Sequence, residues 1–127
     1  MKTTKPISVA LVDDDALMRM VFRNIFEAQG LQVLIEADNG ADFLAKLRES
    51  PVLPDTCLLD VSMPVMDGFE TAKKLHAQFP SIKILAYSSN PDPRVKEQMI
   101  ACGAHDFVEK GFGADVYIAK LTAMAGD

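Results

Sequence analysis

The sequence has only two cysteines and no long apolar run. Cys57 and Cys102 form no CxxC pair and lie at no spacing typical of metal ligands, so we interpret both as small buried hydrophobic residues. No apolar stretch is long enough to span a bilayer. No apolar segment of the signal-peptide type follows residues 1–6. These absences favour a cytoplasmic protein that does not associate with membranes.

Basic residues are also fewer than acidic ones, with 13 Lys and Arg against 18 Asp and Glu, which gives a formal net charge of −5. This balance argues against a general nucleic-acid surface. The 127 residues predict one domain, with residues 1–6 as an N-terminal tail and neither repeats nor low-complexity segments. About half of the residues are apolar and a quarter are charged, which is typical of a globular domain that can bury its own core.

Five apolar runs alternate with five segments of helical periodicity. The predicted strands are 7–12, 31–37, 56–60, 82–87 and 105–109. The predicted helices begin near Ala16 and end at Gly30, cover 42–49, end before Pro80, run from 91–93 to 102, and cover 114–124. The first strand is apolar throughout rather than alternating, which is typical of a strand covered on both faces.

Apolar residues at helical spacing predict the buried face of the first three helices. They are Leu17, Met20, Val21, Ile25 and Ala28 in the first, Phe43, Leu44 and Leu47 in the second, and Phe69, Ala72, Leu75 and Phe79 in the third. Asp14 or Asp15 is expected to cap the first helix, and Asp67 the third.

Alternation of strands and helices predicts a parallel sheet with right-handed crossovers and helices on both faces. The carboxyl ends of parallel strands lie along one edge, where ligands bind in open α/β sheets. That edge should bring together Asp13, Asp14, Asp60, Ser88 and Lys110, although they are far apart in the chain.

These five side chains suit phosphoryl transfer to a carboxylate. Crowded carboxylates repel one another and raise each other's pKa unless a cation lies among them. Oxygen ligands without His or Cys favour Mg²⁺ or a similar hard ion, which readily shares its shell with a phosphoryl group. Lys110 can meet a phosphoryl oxygen with a positive charge, and Ser88 can donate a hydrogen bond.

Four segments of the chain resemble the signatures of the response-regulator receiver domain, in the same order and at similar spacing over essentially the whole sequence. They are Val12-Asp13-Asp14, the stretch 59–68 from Leu59 through Asp60 to Gly68, Ala86-Tyr87-Ser88, and Phe107-Val108-Glu109-Lys110. The resemblance implies a flavodoxin-like, doubly wound (βα)5 fold with strand order 2-1-3-4-5. It also implies two-component signalling rather than an enzyme, with at most slow, self-catalysed phosphotransfer and dephosphorylation.

The resemblance also implies a role for each site residue. Asp60 would accept a phosphoryl group from a histidine kinase or a histidine phosphotransfer protein. Asp14, Asp60 and the backbone carbonyl of Ser62 would ligate Mg²⁺, and Asp13 would act through water. Lys110 would pair with Asp60 and then with the phosphoryl group.

The output would follow from a movement of two residues. Ser88 would swing towards the phosphoryl group, and Phe107 would turn inward behind it. The fourth helix, fifth strand and fifth helix would then signal to a protein partner or an output domain, and a homodimer stays an open alternative. Ser62, Ser89 and Asn90 stand where side chains control access to the phosphoryl group.

Two positions depart from the family pattern. Gly111 stands where members often have a cis proline, and a cis bond before a non-proline residue is costly, so we expect a trans bond. Phe107 replaces the commoner Tyr and has no hydroxyl, so its switching would rest on hydrophobic contacts.

Other functions are also consistent with parts of the sequence. Asp13 and Asp15 resemble the nucleophile and acid/base of haloacid-dehalogenase-type phosphatases, but that reading leaves Asp60 without a role and finds no acidic pair after Lys110. A receiver-like binding module that is never phosphorylated is a second alternative, which the complete acidic site disfavours. A flavin-binding flavodoxin is disfavoured because no phosphate-binding loop follows the first strand.

Overall fold

A computed structural model describes residues 5–111 and 113–126. The strands are β1 (Ser8–Val12), β2 (Gln32–Ala37), β3 (Thr56–Asp60), β4 (Lys83–Ser88) and β5 (Asp106–Glu109). The helices are α1 (Ala16–Ala28), α2 (Gly40–Glu49), α3 (Gly68–Gln78), α4 (Pro93–Ala101) and α5 (Ala114–Ala125). The predicted alternation is confirmed. The start of the predicted N-terminal tail, residues 1–4, lies outside the described residues.

The five strands form one parallel sheet in the order β2-β1-β3-β4-β5. This is the flavodoxin-like order that the sequence predicted. Every residue of β1 and β3 is buried, as expected for central strands that are covered on both faces.

The sheet has a separate apolar core on each face. On one face, α2, α3 and α4 pack on the sheet through Phe43, Leu44, Leu75 and Met99 among others. On the opposite face, α1 and α5 supply the packing residues, which include Phe22, Phe26, Tyr117, Leu121 and Met124. Helices on both faces make the fold doubly wound.

The buried face of α1 differs from the predicted one. Leu17, Met20 and Val21 are 65%, 51% and 41% exposed, whereas Phe22 and Phe26 are buried. The rings of the two phenylalanines lie 5.3 Å apart. Two apolar stripes on this helix satisfy the helical period, and the one that contains the two large rings buries more apolar surface. The prediction was therefore wrong for Leu17, Met20, Val21 and Ala28, which are exposed, and is confirmed only for Ile25, which packs against this core.

The caps of α1 and α3 fix where the loops beside the sheet edge end. The Asp15 carboxylate accepts hydrogen bonds from the backbone N–H groups of Leu17 and Met18, so Asp15 and not Asp14 caps α1. Asp67 accepts the N–H of Glu70 and caps α3 as predicted. The next residue must be glycine, because a Cβ on Gly68 would lie 2.6 Å from the carbonyl oxygen of Asp60.

Three smaller predictions can also be compared with the structure. Residues 5–111 and 113–126 contain no cis peptide bond, so the Lys110–Gly111 bond is trans as predicted. Cys57 is buried and Cys102 is half-buried, and both are free thiols. Within the part of the chain that the structure describes, no helix is both long enough and apolar enough to cross a membrane.

Candidate functional site

Three carboxylates meet at the carboxyl edge of the sheet. Asp13 and Asp14 directly follow β1, and Asp60 ends β3, the neighbouring strand. One carboxylate oxygen from each lies within 4.8 Å of those of the other two. Asp13 and Asp60 are buried, whereas Asp14 is exposed. The structure therefore brings together the acidic residues that the sequence placed at this edge.

Hydrogen bonds hold Asp13 in a defined orientation. Its backbone N–H donates to the carbonyl of Ala37 at 3.0 Å, which extends the pairing of β1 and β2 by one residue. Its Oδ1 accepts the N–H of Asp15 at 2.9 Å. Its Oδ2 accepts a hydrogen bond from the hydroxyl of Tyr87, which is almost completely buried. Both carboxylate oxygens of Asp13 are therefore already hydrogen-bonded.

Lys110 provides the positive charge beside Asp60. Its backbone N–H donates to the carbonyl of Ser88 at 2.8 Å, which fixes the start of the loop after β5. Its Nζ lies 3.3 Å from Oδ1 of Asp60 and 4.7 Å from the centre of the Tyr87 ring. Because Asp60 is buried, this pair is less screened by solvent than a surface ion pair.

Burial shifts the pKa of both inner carboxyl groups. Burial raises the pKa of Asp13 to about 7, with a further rise from the charge of Asp60, although the Asp15 N–H and Lys110 oppose both effects. Burial likewise raises the pKa of Asp60, against the lowering effects of Lys110 and the Ser62 N–H. Negative charge is therefore poorly compensated here, and a bound cation would relieve it.

The loop after β3 contributes further polar groups. The backbone N–H of Ser62 donates to Oδ1 of Asp60 at 3.3 Å. An open groove runs from Asp14 past Ser62, Met63, Pro64 and Phe69. Ser62 thus lies beside the carboxylates, as a backbone ligand would need to.

Ser88 lies at the same edge of the sheet, on the strand next to Asp60. Asp60 pairs with Tyr87, so Ser88 is one residue beyond it on β4. Ser88 is buried, and its Oγ accepts the N–H of Asn90 at 3.0 Å. Ser89 and Asn90 are exposed at the start of the following loop. Ser88 therefore lies at the predicted edge, and control of access by Ser89 and Asn90 stays a prediction.

Phe107 lies farther from the carboxylates, on β5 opposite Ala86. It is half-buried and packs against the same apolar core as α4. It also lines an open groove of about 360 Å³ together with Asn90, Lys96 and Lys120, between α4 and α5. Phe107 therefore connects the core to the surface formed by α4, β5 and α5.

Two residues of the site were missed by the sequence analysis. Tyr87 contacts both Asp13 and Lys110. Arg19 of α1 donates to the backbone carbonyl of Asp13 and pairs with Glu36 of β2, with 3.2 Å between its Nε and the carboxylate. A tyrosine next to Ser88 in a buried strand was the one available signal, because a buried hydroxyl needs a hydrogen-bond partner.

The donor set fits a hard divalent cation. Three carboxylates supply oxygen ligands, and no histidine or thiol is part of the described cluster. Mg²⁺ favours one or two carboxylates together with several waters. Asp14 is the exposed member of the three, so it is the carboxylate with the freest access to such an ion.

Comparison with known proteins places these observations in a family. The family described as response regulator receiver domain matches residues 9–122. The chemotaxis protein CheY of Listeria monocytogenes is 34% identical over 119 residues, which cover 94% of this chain and 98% of that protein. A protein-glutamate methylesterase/protein-glutamine glutaminase of Treponema pallidum is 42% identical over 119 residues, which cover 91% of this chain but only 29% of that protein.

Solved structures agree with the sequence comparisons. The response regulator domain of Thermotoga maritima CheB superposes with a TM-score of 0.86 at 26% identity, covering 96% of this chain and 98% of that chain. A CheY-like receiver domain protein from Methanospirillum hungatei superposes with a TM-score of 0.85 at 22% identity, covering 95% and 94%. The latter similarity concerns the fold alone.

Proposed function

This chain belongs to the response regulator receiver domain family, and we propose that it accepts a phosphoryl group from a phosphohistidine onto Asp60 in a two-component or phosphorelay system. The observation that carries the proposal is the contact of Lys110 with Asp60 at 3.3 Å beside the acidic cluster. Receiver domains pair with histidine kinases, and the acidic triad is typical of their Mg²⁺ sites.

The proposed step is a displacement at phosphorus. A carboxylate oxygen of Asp60 forms a bond to phosphorus while the bond from phosphorus to the donor imidazole nitrogen breaks, and the imidazole keeps the electron pair. Lys110 stabilises the transferred oxygens electrostatically, and Ser88 donates a hydrogen bond to one of them. Asp14, Asp60 and the Ser62 carbonyl would hold Mg²⁺, which neutralises charge on the phosphoryl oxygens.

Identification of the modified residue tests the proposal. The protein would be incubated with a small phosphodonor and Mg²⁺, its intact mass measured, and the acyl phosphate trapped with borohydride for peptide mapping. We expect the label on Asp60 and none on Asp60→Asn. A label on Asp13 would instead support the phosphatase alternative, in which Asp15 is the acid/base.

The metal ligands can be tested separately. Asp14→Ala should weaken Mg²⁺ binding strongly in titration calorimetry, because Asp14 is the exposed member of the triad. Asp15→Ala is the matched control, since Asp15 caps α1 and lies outside the triad. Equal losses in the two variants would contradict the assignment of Asp14 as a ligand.

We further propose that phosphorylation is reported through the surface of α4, β5 and α5 to a protein partner or an output domain. Tyr87 and Ser88 alternate across β4, so Ser88 shares a face with Ala86, which is paired with Phe107. Movement of Ser88 towards the phosphoryl group would draw the loop at Asn90 with it, through the 3.0 Å hydrogen bond. The vacated space would let Phe107 turn inward and bias a two-state equilibrium.

The coupling predicts a long-range effect that depends on Ser88. A beryllofluoride complex, which mimics the acyl phosphate, should shift amide NMR signals in α4 and β5 of the parent protein. Ser88→Ala should bind the same complex and show much smaller shifts in those elements. Shifts that stay within the sheet edge in the parent, or that persist in the variant, would contradict this mechanism.

A further inference from the structure

Tyr87 links the acidic cluster to the apolar core under α1 and α5. Its side chain is 1% exposed, and its hydroxyl donates to Oδ2 of Asp13. Tyr87 belongs to β4, whereas Asp13 follows β1, and β3 lies between these two strands in the sheet. The phenol therefore reaches across a strand to one particular carboxylate oxygen.

The Tyr87 ring is held on three sides. It packs edge-on against Phe22 at 5.8 Å and against Tyr117 at 6.0 Å between ring centres. The Nζ of Lys110 lies 4.7 Å from its centre. A buried ring with such neighbours has little freedom to rotate, so its hydroxyl is a fixed donor rather than an occasional one.

The hydrogen bonds of Asp13 limit how this residue can meet a cation. A carboxylate offers two oxygens, and here the Asp15 N–H occupies part of one while the Tyr87 O–H occupies part of the other. Each donor places a partly positive hydrogen beside the oxygen. The lone pairs that remain on the two Asp13 oxygens are better suited to accept a hydrogen bond from a metal-bound water than to ligate the metal ion itself.

We propose that Tyr87 determines the metal specificity of the site, by holding Asp13 in a water-mediated role that favours Mg²⁺ over Ca²⁺. Mg²⁺ dehydrates reluctantly, keeps several waters and uses one or two carboxylates. Ca²⁺ takes six to eight oxygen ligands and gains from each additional carboxylate. A third carboxylate released for direct coordination would therefore help Ca²⁺ more than Mg²⁺.

Tyr87→Phe tests this inference because it removes the hydroxyl and keeps the ring. Affinities for Mg²⁺ and Ca²⁺, each added alone, would be measured by titration calorimetry on the unphosphorylated protein. We expect the ratio of the Ca²⁺ Kd to the Mg²⁺ Kd to fall by about tenfold, the lower end of the effect that loss of a hydrogen-bond partner of a metal ligand has on metal affinity. The ratio cancels any general change in the charge or the stability of the site.

Two control variants test whether the change in the ratio comes from the hydrogen bond between Tyr87 and Asp13. Tyr117→Phe removes the same group from the neighbouring ring and should leave the ratio unchanged. In an Asp13→Asn background, Tyr87→Phe should also leave the ratio unchanged, because the carboxylate that it releases is absent. An unchanged ratio in Tyr87→Phe, or an equal shift in either comparison, would overturn the proposal. Tyr87→Leu should shift the ratio in the same direction, and provides a second variant if the first folds poorly.

The inference rests on the proposed function only through its metal site, and the two fail separately. A shifted ratio without phosphorylation of Asp60 would overturn the phosphoacceptor proposal and keep the role of Tyr87. Phosphorylation of Asp60 with an unchanged ratio would do the reverse.

Discussion

The backbone of Val65 adopts a conformation that is unfavourable for its side chain. Its φ is 68°, a left-handed conformation that is costly for a β-branched residue. The side chain is 83% exposed, so it has little packing to lose. We expect Val65→Asn to raise the free energy of unfolding by about 1 kcal/mol, because asparagine tolerates this conformation. Urea denaturation of the two proteins measures the difference.

Val52→Asn is the matched control for Val65. Val52 is also exposed, at 54%, and no positive φ is found there. The control should change stability by less than about 0.5 kcal/mol. Equal effects of the two substitutions would show that backbone strain at Val65 is not the cause.

His105 makes stability depend on pH. Its Nδ1 accepts the N–H of Ile84 at 2.9 Å, so protonation of that nitrogen breaks the bond. Burial lowers the pKa of His105, and the charges of Lys83 and His76 lower it further. The unfolded chain thus binds the proton more tightly than the folded protein does. The contribution of His105 to the free energy of unfolding is therefore complete above about pH 6.5 and is lost as the pH falls through its folded-state pKa.

The variant His105→Gln should show a smaller loss of unfolding free energy between pH 7.5 and 5 than the parent does. Glutamine does not titrate in this range, and its side-chain oxygen can still accept a hydrogen bond. Chemical denaturation at several pH values measures the slope for each protein. Identical slopes would exclude His105 as the source of the pH dependence.

At the scale of elements, α1 presents two apolar stripes with different roles. Phe26 is fully buried and Leu17 is 65% exposed. Phe26→Ala should therefore destabilise the protein by about 3–5 kcal/mol, through lost burial and a cavity. Leu17→Ala should change stability by less than about 0.5 kcal/mol. Thermal unfolding measures the loss of stability in each variant. Similar losses in the two variants would mean that α1 is rotated from the orientation described.

The whole molecule creates the acidic cluster, because pairing of β1 with β3 brings Asp13 and Asp60 together. Burial raises the pKa of Asp13 to about 7 and also raises that of Asp60. A raised pKa stabilises the fold at low pH, and this contribution is lost as the pH rises through the folded-state value. In the metal-free protein, ionisation of these carboxyl groups therefore lowers the free energy of unfolding near neutral pH.

Mg²⁺ should stabilise the fold more at pH 8 than at pH 5.5, because protons compete with it for the carboxylates. Differential scanning calorimetry with and without Mg²⁺ measures the increase in Tm at each pH. Asp13→Asn should melt at a higher temperature than the parent without metal at pH 8, and its response to Mg²⁺ should depend less on pH. A response to Mg²⁺ that is independent of pH in the parent would contradict this account.

Much of the fold and the site could be read from the chain. Apolar runs that end in Asp13, Asp60 and Ser88 are confirmed as strands, each within one residue of its predicted bounds. Once the strands are parallel, their carboxyl ends must share an edge, so the gathering of Asp13, Asp14, Asp60, Ser88 and Lys110 follows from local patterns and simple topology.

Tertiary structure decided the features that depend on competition or on distance across the sheet. The period of α1 allows two apolar faces, and the packing of Phe22 against Tyr87 of β4 and Tyr117 of α5 selects one of them. The hydrogen bond from Tyr87 to Asp13 spans an intervening strand. No local pattern encodes that contact, because it depends on the length of the phenol, the twist of the sheet and the neighbouring rings together.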